Sequence, residues 1–233
     1  MARSPDADPP APSWTELVHG GAPGLDQPQA WARLNIRCGL VELRTPDVRD
    51  VEQLVHAVAN GGLDDDVTRA GLGPWCQGAP AEVARNTGKH LEATIADLDR
   101  HPPATADWFW PATVIVDGTA VGRQDAEIRA TPQGWVIDSG SWILNTHRGR
   151  GLGTRARTGL LAATLRAGAL RATTSWRIGN IASETVSRRL GYTVDGPDLL
   201  DWPDGSRVSG IRAHLEPAHF RPIEPVHIQT RSS

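Results

Sequence analysis

The sequence has almost no cysteine and no long apolar segment, and each absence excludes a class of protein. Cys38 and Cys76 are the only two cysteines among its 233 residues. Two thiols are too few for a disulfide framework, and unpaired core thiols are favoured over a disulfide, a redox pair or a metal site. No apolar run approaches the roughly 18 residues of a membrane span, and the N-terminus lacks the apolar core of a secretion signal. We therefore expect a cytoplasmic protein with no membrane partner and no metal.

An excess of positive charge is lacking as well. The net charge is −3 at pH 7, so no overall basic field attracts nucleic acid. Apolar residues make up 39% of the chain and charged residues 22%, which is ordinary for a globular protein of this length. These values favour one enzyme-sized domain over a nucleic-acid-binding module.

Prolines divide the chain into a domain and two less regular ends. Residues 1–36 carry six prolines among small and polar residues, which predicts a flexible arm. Trp14 and Trp31 indicate that part of this arm docks on the domain or on a second subunit. We place the domain at residues 37–216, and we expect an irregular tail at 217–233 because three prolines interrupt it.

A run of glycines and arginines is the most informative motif. It follows the apolar residues 142–144 and precedes a helical pattern at 154–167. A strand that passes through glycines into a helix leaves backbone N–H groups unpaired and pointing at one place, where the helix dipole also favours negative charge. We therefore predict a phosphate site formed by Arg148, Gly149, Arg150, Gly151, Leu152, Gly153 and Thr154.

The spacing of this run separates it from two better-known phosphate motifs. An NTPase phosphate loop ends in Gly-Lys-Ser/Thr, and a dinucleotide fingerprint needs glycine where Thr154 stands. The arrangement Arg-x-x-Gly-x-Gly, from Arg148 to Gly153, instead resembles the pyrophosphate motif Gln/Arg-x-x-Gly-x-Gly/Ala of the GNAT superfamily, the acyl-coenzyme A dependent N-acyltransferases.

A second motif follows about thirty residues later, at the distance that this fold requires. Asn180, Ser183 and the run Leu190-Gly191-Tyr192 resemble the signature Asn-x-x-Ser followed by Leu-Gly-Tyr/Phe that closes the coenzyme site of the same family. Asn180 can cap a helix, and Gly191 can end it in a left-handed conformation. On both motifs the chain is identified as a member of the GNAT superfamily, similar to its RimJ/RimL branch.

The resemblance implies an α+β fold, with a mixed and mostly antiparallel sheet of six to seven strands flanked by about four helices. The hydrophobic patterns agree with it and place the first strand at 39–44 and a helix near 51–58, capped by Thr45 or Asp47. Further elements are predicted as a helix at 81–98, a hairpin turning at 117–118, strands at 124–129, 135–144 and 169–176, and a last strand at 208–215.

The resemblance also implies direct acetyl transfer from acetyl-CoA, or another acyl-CoA, to a primary amine of a small molecule, amino acid or peptide. In this family the strand at 137–144 separates from its neighbour, so that its backbone pairs with the pantetheine arm. Ile143 or Leu144 then supplies the N–H group for the thioester oxygen, and Asn180 belongs to the coenzyme site. Relatives often protonate the leaving thiolate with a tyrosine, but the only tyrosine here is Tyr192 in the helix terminator. Ser183 is therefore the predicted donor, and a local helix-start role is its alternative.

Two carboxylates are candidates for the base that deprotonates the amine. Asp138 stands where many relatives have a glutamate, and Glu127 on the neighbouring predicted strand is the second candidate. Either would need burial to raise its pKa usefully, and an ordinary sheet residue is the alternative for both. Arg155 and Arg157 are expected on an exposed helix face as solvated charges, and contact with phosphate is the alternative for both.

Tryptophan is unusually frequent, with nine residues. Most of them belong in the core, but one or two could line an aromatic acceptor groove, and the candidates are Trp75, Trp108, Trp110 and Trp142. The long extension and the lack of a basic patch favour specialised metabolism or self-protection over the modification of ribosomal proteins.

Two other functions remain open. One is a GNAT fold that uses aminoacyl-tRNA or a carrier-bound acyl donor, which a basic groove near Arg123, Arg129 and Arg177 would favour. The other is a non-catalytic sensor that binds acyl-CoA. We expect a nucleic-acid partner only if the protein uses an aminoacyl-tRNA donor. A homodimer is suggested only by the family resemblance.

Overall fold

The fold is a single mixed sheet with helices on both faces. The computed structural model describes residues 13–20, 24–25, 28–63, 76, 78–99, 107–201 and 205–230. Its strands are β1 (Val18–Gly20), β2 (Leu34–Cys38), β3 (Val41–Arg44), β4 (Trp108–Val116), β5 (Thr119–Thr131), β6 (Gly134–Ile143), β7 (Ala169–Arg177), β8 (Thr193–Asp201), β9 (Arg207–Leu215) and β10 (Val226–Thr230). Its helices are α1 (Pro28–Trp31), α2 (Val48–Ala59), α3 (Pro80–Asp99), α4 (Leu152–Arg166) and α5 (Ile181–Leu190).

The strands lie in the order β1-β10-β2-β3-β4-β5-β6-β7-β9-β8. Neighbours are antiparallel, except that β1 runs parallel to β10 and β6 runs parallel to β7. The α+β class is confirmed, but the sheet has ten strands where six to seven were predicted. The additional strands β1, β2 and β10 come from the two ends of the chain.

The C-terminal segment 217–233 was expected to be irregular, and for residues 226–230 that expectation is wrong. Strand β10 lies between β1 and β2, with the side chains of Val226 and Ile228 buried in the core. Proline prevents pairing only through its own missing N–H. All three prolines of this segment precede β10, so they shape the connection and leave the strand free to pair.

The predicted first strand at 39–44 is correct only for β3. Residues 39–40 form a turn, with Gly39 at φ +55°, and this turn joins β3 to the earlier strand β2. Leu34, Ile36 and Cys38 alternate with polar residues and are almost fully buried, the usual pattern of a strand, although this segment was assigned largely to the flexible arm. Part of the N-terminal arm therefore packs on the domain, as its tryptophans indicated: Trp31 is buried, and Trp14 lies 5.9 Å from Phe220 between ring centroids.

Two hydrophobic clusters mark the two faces of the sheet. Val114 and Ile115 are neighbours on β4 but belong to different clusters, because successive side chains of a strand point to opposite faces. Val114 packs with α4 and α5, whereas Ile115 packs with α2 and α3. Both predicted N-terminal helices are confirmed, and the cap of α2 is Asp47, whose side chain accepts the Asp50 N–H at 3.0 Å.

Cys38 and Cys76 are both buried thiols, as predicted. Burial, reinforced by the nearby carboxylate of Glu224, raises the pKa of the Cys38 thiol to about 12. No helix in the described part of the chain is long and apolar enough to cross a membrane.

Because β10 belongs to the core, we predict that Ile228→Ala lowers the free energy of unfolding by about 2–5 kcal/mol, the usual range for emptying a buried aliphatic site. Gln229→Ala, on the exposed side of the same strand, should change it by less than about 0.5 kcal/mol. Urea denaturation measures both variants. Equal effects would show that the strand does not pack as described.

Candidate active site

The central feature of the site is the divergence of β6 from β7. The two strands pair over four residues only, from Trp135 to Asp138 on β6. Beyond the pair Asp138–Thr173, β7 stays paired with β9, and no backbone group of the described part of β7 pairs with 139–143. The Thr174 hydroxyl still reaches the Ser139 carbonyl, at 3.4 Å. One edge of β6 is therefore open at its C-terminal end, as the family resemblance implies.

The backbone of Ile143 faces this open edge, and that of Leu144 does not. The Leu144 N–H donates to the Val121 carbonyl on β5 at 2.9 Å. Because consecutive residues of an antiparallel ladder direct their backbone groups to opposite neighbours, Ile143 and Ser141 direct theirs toward the side that β7 has left. The prediction of an oxyanion N–H is thus wrong for Leu144, whose donor is engaged, and stays in place for Ile143.

The glycine run forms a cradle of backbone N–H groups directly after this edge. Gly149 and Gly151 have φ values of +73° and +72°, which favour glycine, and α4 starts at the next residue. The first bond of the helix runs from the Arg155 N–H to the Gly151 carbonyl at 3.1 Å. Among the described residues, nothing accepts a hydrogen bond from the N–H groups of residues 152–154. A Cβ atom at Gly149 or Gly153 would meet no atom within 4 Å, so the cradle is open and fits a pyrophosphate.

Arg148 and Arg155 hold the loop in place. The Arg148 Nε donates to the Ile143 carbonyl at 2.9 Å, which ties the loop to the end of β6. Arg155 was expected to be a solvated charge, but its guanidinium donates to the Arg150 carbonyl at 3.1 Å and to Glu224 at 2.5 Å. Glu224 lies in the connection before β10, so the C-terminal segment supports the loop. The side chain of Arg150 is exposed.

Arg157 is not on an exposed face either. Residues 156–165 of α4 are all buried, because the sheet covers one side of the helix and neighbouring elements cover the other sides. Arg157 is 3% exposed and donates to the hydroxyls of Ser187 on α5 at 3.1 Å and of Ser141 on β6 at 3.4 Å. Burial lowers the pKa of its guanidinium.

Helix α5 begins and ends as its motif predicted. The Asn180 side chain accepts the Ser183 N–H at 3.1 Å, and Gly191 closes the helix at φ +98°. A Cβ at Gly191 would lie 2.0 Å from the His219 carbonyl oxygen, so the position also requires glycine sterically. The side chain of Ser183 is half-buried, and within the described residues its hydroxyl has no hydrogen-bond partner. The coenzyme contact of Asn180 stays a prediction.

The two candidate bases are direct neighbours across β5 and β6, on the face opposite α4 and α5. Asp138 is half-buried and accepts the Thr173 hydroxyl at 2.7 Å. The side chain of Glu127 is 53% exposed and pairs with Arg129 at 3.1 Å, and this bond raises the pKa of Arg129. Asp138 is therefore the better placed of the two, because its carboxylate is shielded from solvent and oriented.

His214 is a site residue that sequence reasoning missed. It pairs with Thr173 across β7 and β9, so Glu127, Asp138, Thr173 and His214 form a polar row across four strands. The His214 Nδ1 lies 2.5 Å from the Asp195 carboxylate. No local motif marks this histidine, because its position opposite Thr173 depends on strand register alone.

The predicted aromatic groove is not formed by the tryptophans that the structure describes. Trp108 and Trp110 pack edge-to-face on Trp31, at 5.4 and 5.0 Å between ring centroids. Trp110 has no exposed surface, and its Nε1 donates to the Trp31 carbonyl and the Thr45 hydroxyl, both at 3.1 Å. Trp142 is buried beside α2 and α3. These three are core residues, which corrects the expectation, and Trp75 lies outside the described residues.

The basic groove that would favour an RNA-linked donor is not formed either. Arg123 is 1% exposed and pairs with Asp125 at 2.6 Å, and burial raises the pKa of that carboxyl. Arg129 is neutralised by Glu127. A surface that attracts phosphates needs exposed and unpaired cations, and two of the three predicted arginines do not meet this requirement.

Comparisons with known proteins agree with this geometry. The model of the acetyltransferase (GNAT) domain family matches residues 41–193. Among solved structures, RimL, a ribosomal L7/L12 alpha-N-protein acetyltransferase in complex with coenzyme A, is 19% identical with a TM-score of 0.60 and covers 78% of this chain and 97% of its own. The microcin C7 self-immunity acetyltransferase MccE, in complex with acetyl-CoA and AMP, is 15% identical with a TM-score of 0.59 over 76% and 93% of the two chains. Mycobacterium smegmatis RimJ is 17% identical with a TM-score of 0.59 over 80% and 88%.

The open cradle leads to a prediction about Gly153. The φ of Gly153 is one that other residues adopt, and a Cβ atom there would meet no other atom within 4 Å. Gly153→Val should therefore fold normally but place methyl groups where an anion approaches the backbone. We expect coenzyme A to bind about tenfold or more weakly, a loss of at least about 1.4 kcal/mol, as measured by calorimetry. Gly88→Val on α3 is the matched control and should leave binding unchanged. Unaltered binding by the Gly153 variant would place the coenzyme elsewhere.

Proposed function

The chain belongs to the GNAT acetyltransferase family and is thus an acyl-CoA-dependent N-acetyltransferase, and we propose that its acceptor is a primary amine of a small molecule, amino acid or peptide. One observation carries the proposal: two sets of unpaired backbone groups, at the open edge of β6 and at the start of α4, are joined by the short segment 144–151. Such an arrangement suits a long donor with an anionic end, and acetyl-CoA has that shape.

The donor is held mainly by main-chain groups. The N–H groups of residues 152–154 would receive the pyrophosphate, and the open edge at 139–143 would pair with the amides of the pantetheine arm. The Ile143 N–H would then donate to the thioester oxygen as negative charge develops there. Arg148 supports this arrangement, because its bond to the Ile143 carbonyl links the edge to the cradle.

The acceptor must arrive as a neutral amine. At pH 7 roughly a tenth of an α-amino group with a pKa near 8 is neutral, against well under a thousandth of a lysine amine. The amine nitrogen bonds to the carbonyl carbon, the carbon–sulfur bond breaks, and its electron pair goes to sulfur. The amine proton passes to Asp138, which returns it to solvent. The Ser183 hydroxyl donates its hydrogen bond to the sulfur and passes its proton to the thiolate as it takes up another from water.

The acceptor side of the site favours a cationic molecule in solution. Asp138 lies half-buried on the face opposite α4 and α5, and its charge complements an ammonium group before that group loses its proton, whereas Glu127 is paired with Arg129. RimL and MccE show that the fold serves both protein N-termini and self-immunity. We favour a small-molecule or peptide acceptor of specialised metabolism, because Arg123 and Arg129 are paired with carboxylates and do not form a basic patch.

Thiol release from acetyl-CoA across a panel of primary amines tests this function. The wild-type enzyme should release coenzyme A with at least one amine class, and Ser183→Ala should lower kcat about 10- to 100-fold, because the thiolate loses its proton donor. Coenzyme affinity, measured separately, should stay within about twofold.

Ser209→Ala, which removes an exposed hydroxyl on β9, is the control for Ser183 and should keep full activity. Wild-type binding of coenzyme A without thiol release for any amine would favour the sensor. An unchanged kcat in Ser183→Ala would remove Ser183 from the mechanism.

If Asp138 accepts the amine proton, Asp138→Asn should lower kcat/KM for the acceptor by about 10²-fold or more at pH 7. The difference in kcat/KM between Asp138→Asn and the wild type should shrink as pH rises toward the pKa of the amine, because the neutral amine then forms without a base. A pH–rate profile for both enzymes measures this. A constant deficit at all pH values contradicts a base role, and a larger loss in Glu127→Gln would transfer that role to Glu127.

A further inference from the structure

Arg157 is a buried cation whose only side-chain partners are neutral. Its hydrogen bonds go to the hydroxyls of Ser187 and Ser141, and its Nε is buried without an acceptor. No carboxylate of the described residues lies within ion-pair distance of it. A cation withdrawn from water is unfavourable unless an anion compensates it. Asp138 compensates this guanidinium only through space, and burial still lowers the pKa of Arg157.

The guanidinium lies between the two elements that carry the proposed chemistry. Ser141 is two residues before Ile143 on the open edge, a separation of about 7 Å along a strand. Ser187 is one turn after Ser183 on α5, a rise of about 6 Å, and its hydroxyl donates to the Ser183 carbonyl at 2.9 Å. Arg157 therefore bridges the backbone that would hold the thioester and the helix that would protonate sulfur.

We propose that Arg157 is the counter-charge of the coenzyme sulfur and stabilises the thiolate that leaves when the amide forms. This inference rests on the proposed function. When the carbon–sulfur bond breaks, the electron pair moves to sulfur, next to the guanidinium, before the Ser183 proton arrives. The thiolate formed in the reaction is thus the anionic partner with which Arg157 can pair directly.

Coulomb's law gives the expected size of such an effect. For a separation of about 7 Å and an effective dielectric constant of about 20, a unit positive charge lowers the pKa of a thiol by about one to two units. Of the neighbouring groups, Tyr192 stays neutral because burial raises its pKa to about 12, and the Asp138 carboxylate acts in the opposite direction. On α5, Glu184 and Arg188 pair with each other at 2.8 Å at the surface.

The test is the ionisation of coenzyme A bound to the full-length chain, followed by thiolate absorbance as pH is raised. Protein background is low, since Cys38 has a pKa of about 12 and so does the only tyrosine, and coenzyme-free protein corrects for Cys76. The bound thiol should titrate about one unit or more below free coenzyme A. Arg157→Met should abolish this difference, and Arg157→Lys should retain most of it. Arg171→Met, which removes an exposed cation on β7, should leave it intact.

Three results would overturn the proposal. The first is that the thiol of coenzyme A bound to the wild-type enzyme titrates at the same pH as free coenzyme A. This comparison tests the proposal even if Arg157→Met does not fold. A lowered value that persists in Arg157→Met would place its source elsewhere. Failure of the wild type to bind coenzyme A would defeat the proposed function and this inference with it, whereas binding with an ordinary thiol would defeat the inference alone.

Discussion

The separation of β6 from β7 after Asp138 and Thr173 is the constraint on which the rest of this structure depends. Parallel neighbours in a sheet normally satisfy each other's backbone groups, and here the pairing stops while both strands continue. The groups that lose their partners lie on the strand that leads, through residues 144–151, to a helix start whose own N–H groups are unpaired. The proposed donor site is thus made of main chain, which is consistent with a motif that specifies glycines and a spacing rather than a set of reactive side chains.

The divergence also connects the two faces of the sheet. On one face, the buried Arg157 and Ser187 form a polar group with Ser141, which is exposed on the open edge. On the other, Asp138 and Thr173 begin a polar row that reaches His214. Continuous pairing would seal these environments from each other. An open edge allows a thioester held from one side to meet an amine that arrives from the other, with sulfur and amine in different electrostatic surroundings.

The ends of the chain contribute to the site through packing. Strands β1, β2 and β10 extend the sheet beyond β3, and the connection before β10 brings Glu224 to Arg155, which holds the carbonyl of Arg150. A segment outside the matched family region therefore supports the phosphate loop. The cluster of Trp31, Trp108 and Trp110 anchors the N-terminal arm on the same core, which gives the frequent tryptophans a structural role.

Features that depend on a few adjacent residues could be predicted from the sequence. The helices α2 to α5, the turn at Asp117 and Gly118, the Asn180 cap, the Gly191 terminator and the glycine loop are all local, because short-range backbone preferences and side-chain periodicity encode them. The fold class followed from their order. Features that depend on residues distant in sequence became visible only in the folded chain. They are the pairing of β10 with β1 and β2, the burial of Arg157 and Trp110, the hydrogen bond of the Leu144 N–H, and the alignment of Asp138 with His214. A charged or aromatic residue reads the same in sequence whether it faces solvent or core, since the neighbours that set its environment come from other strands and helices.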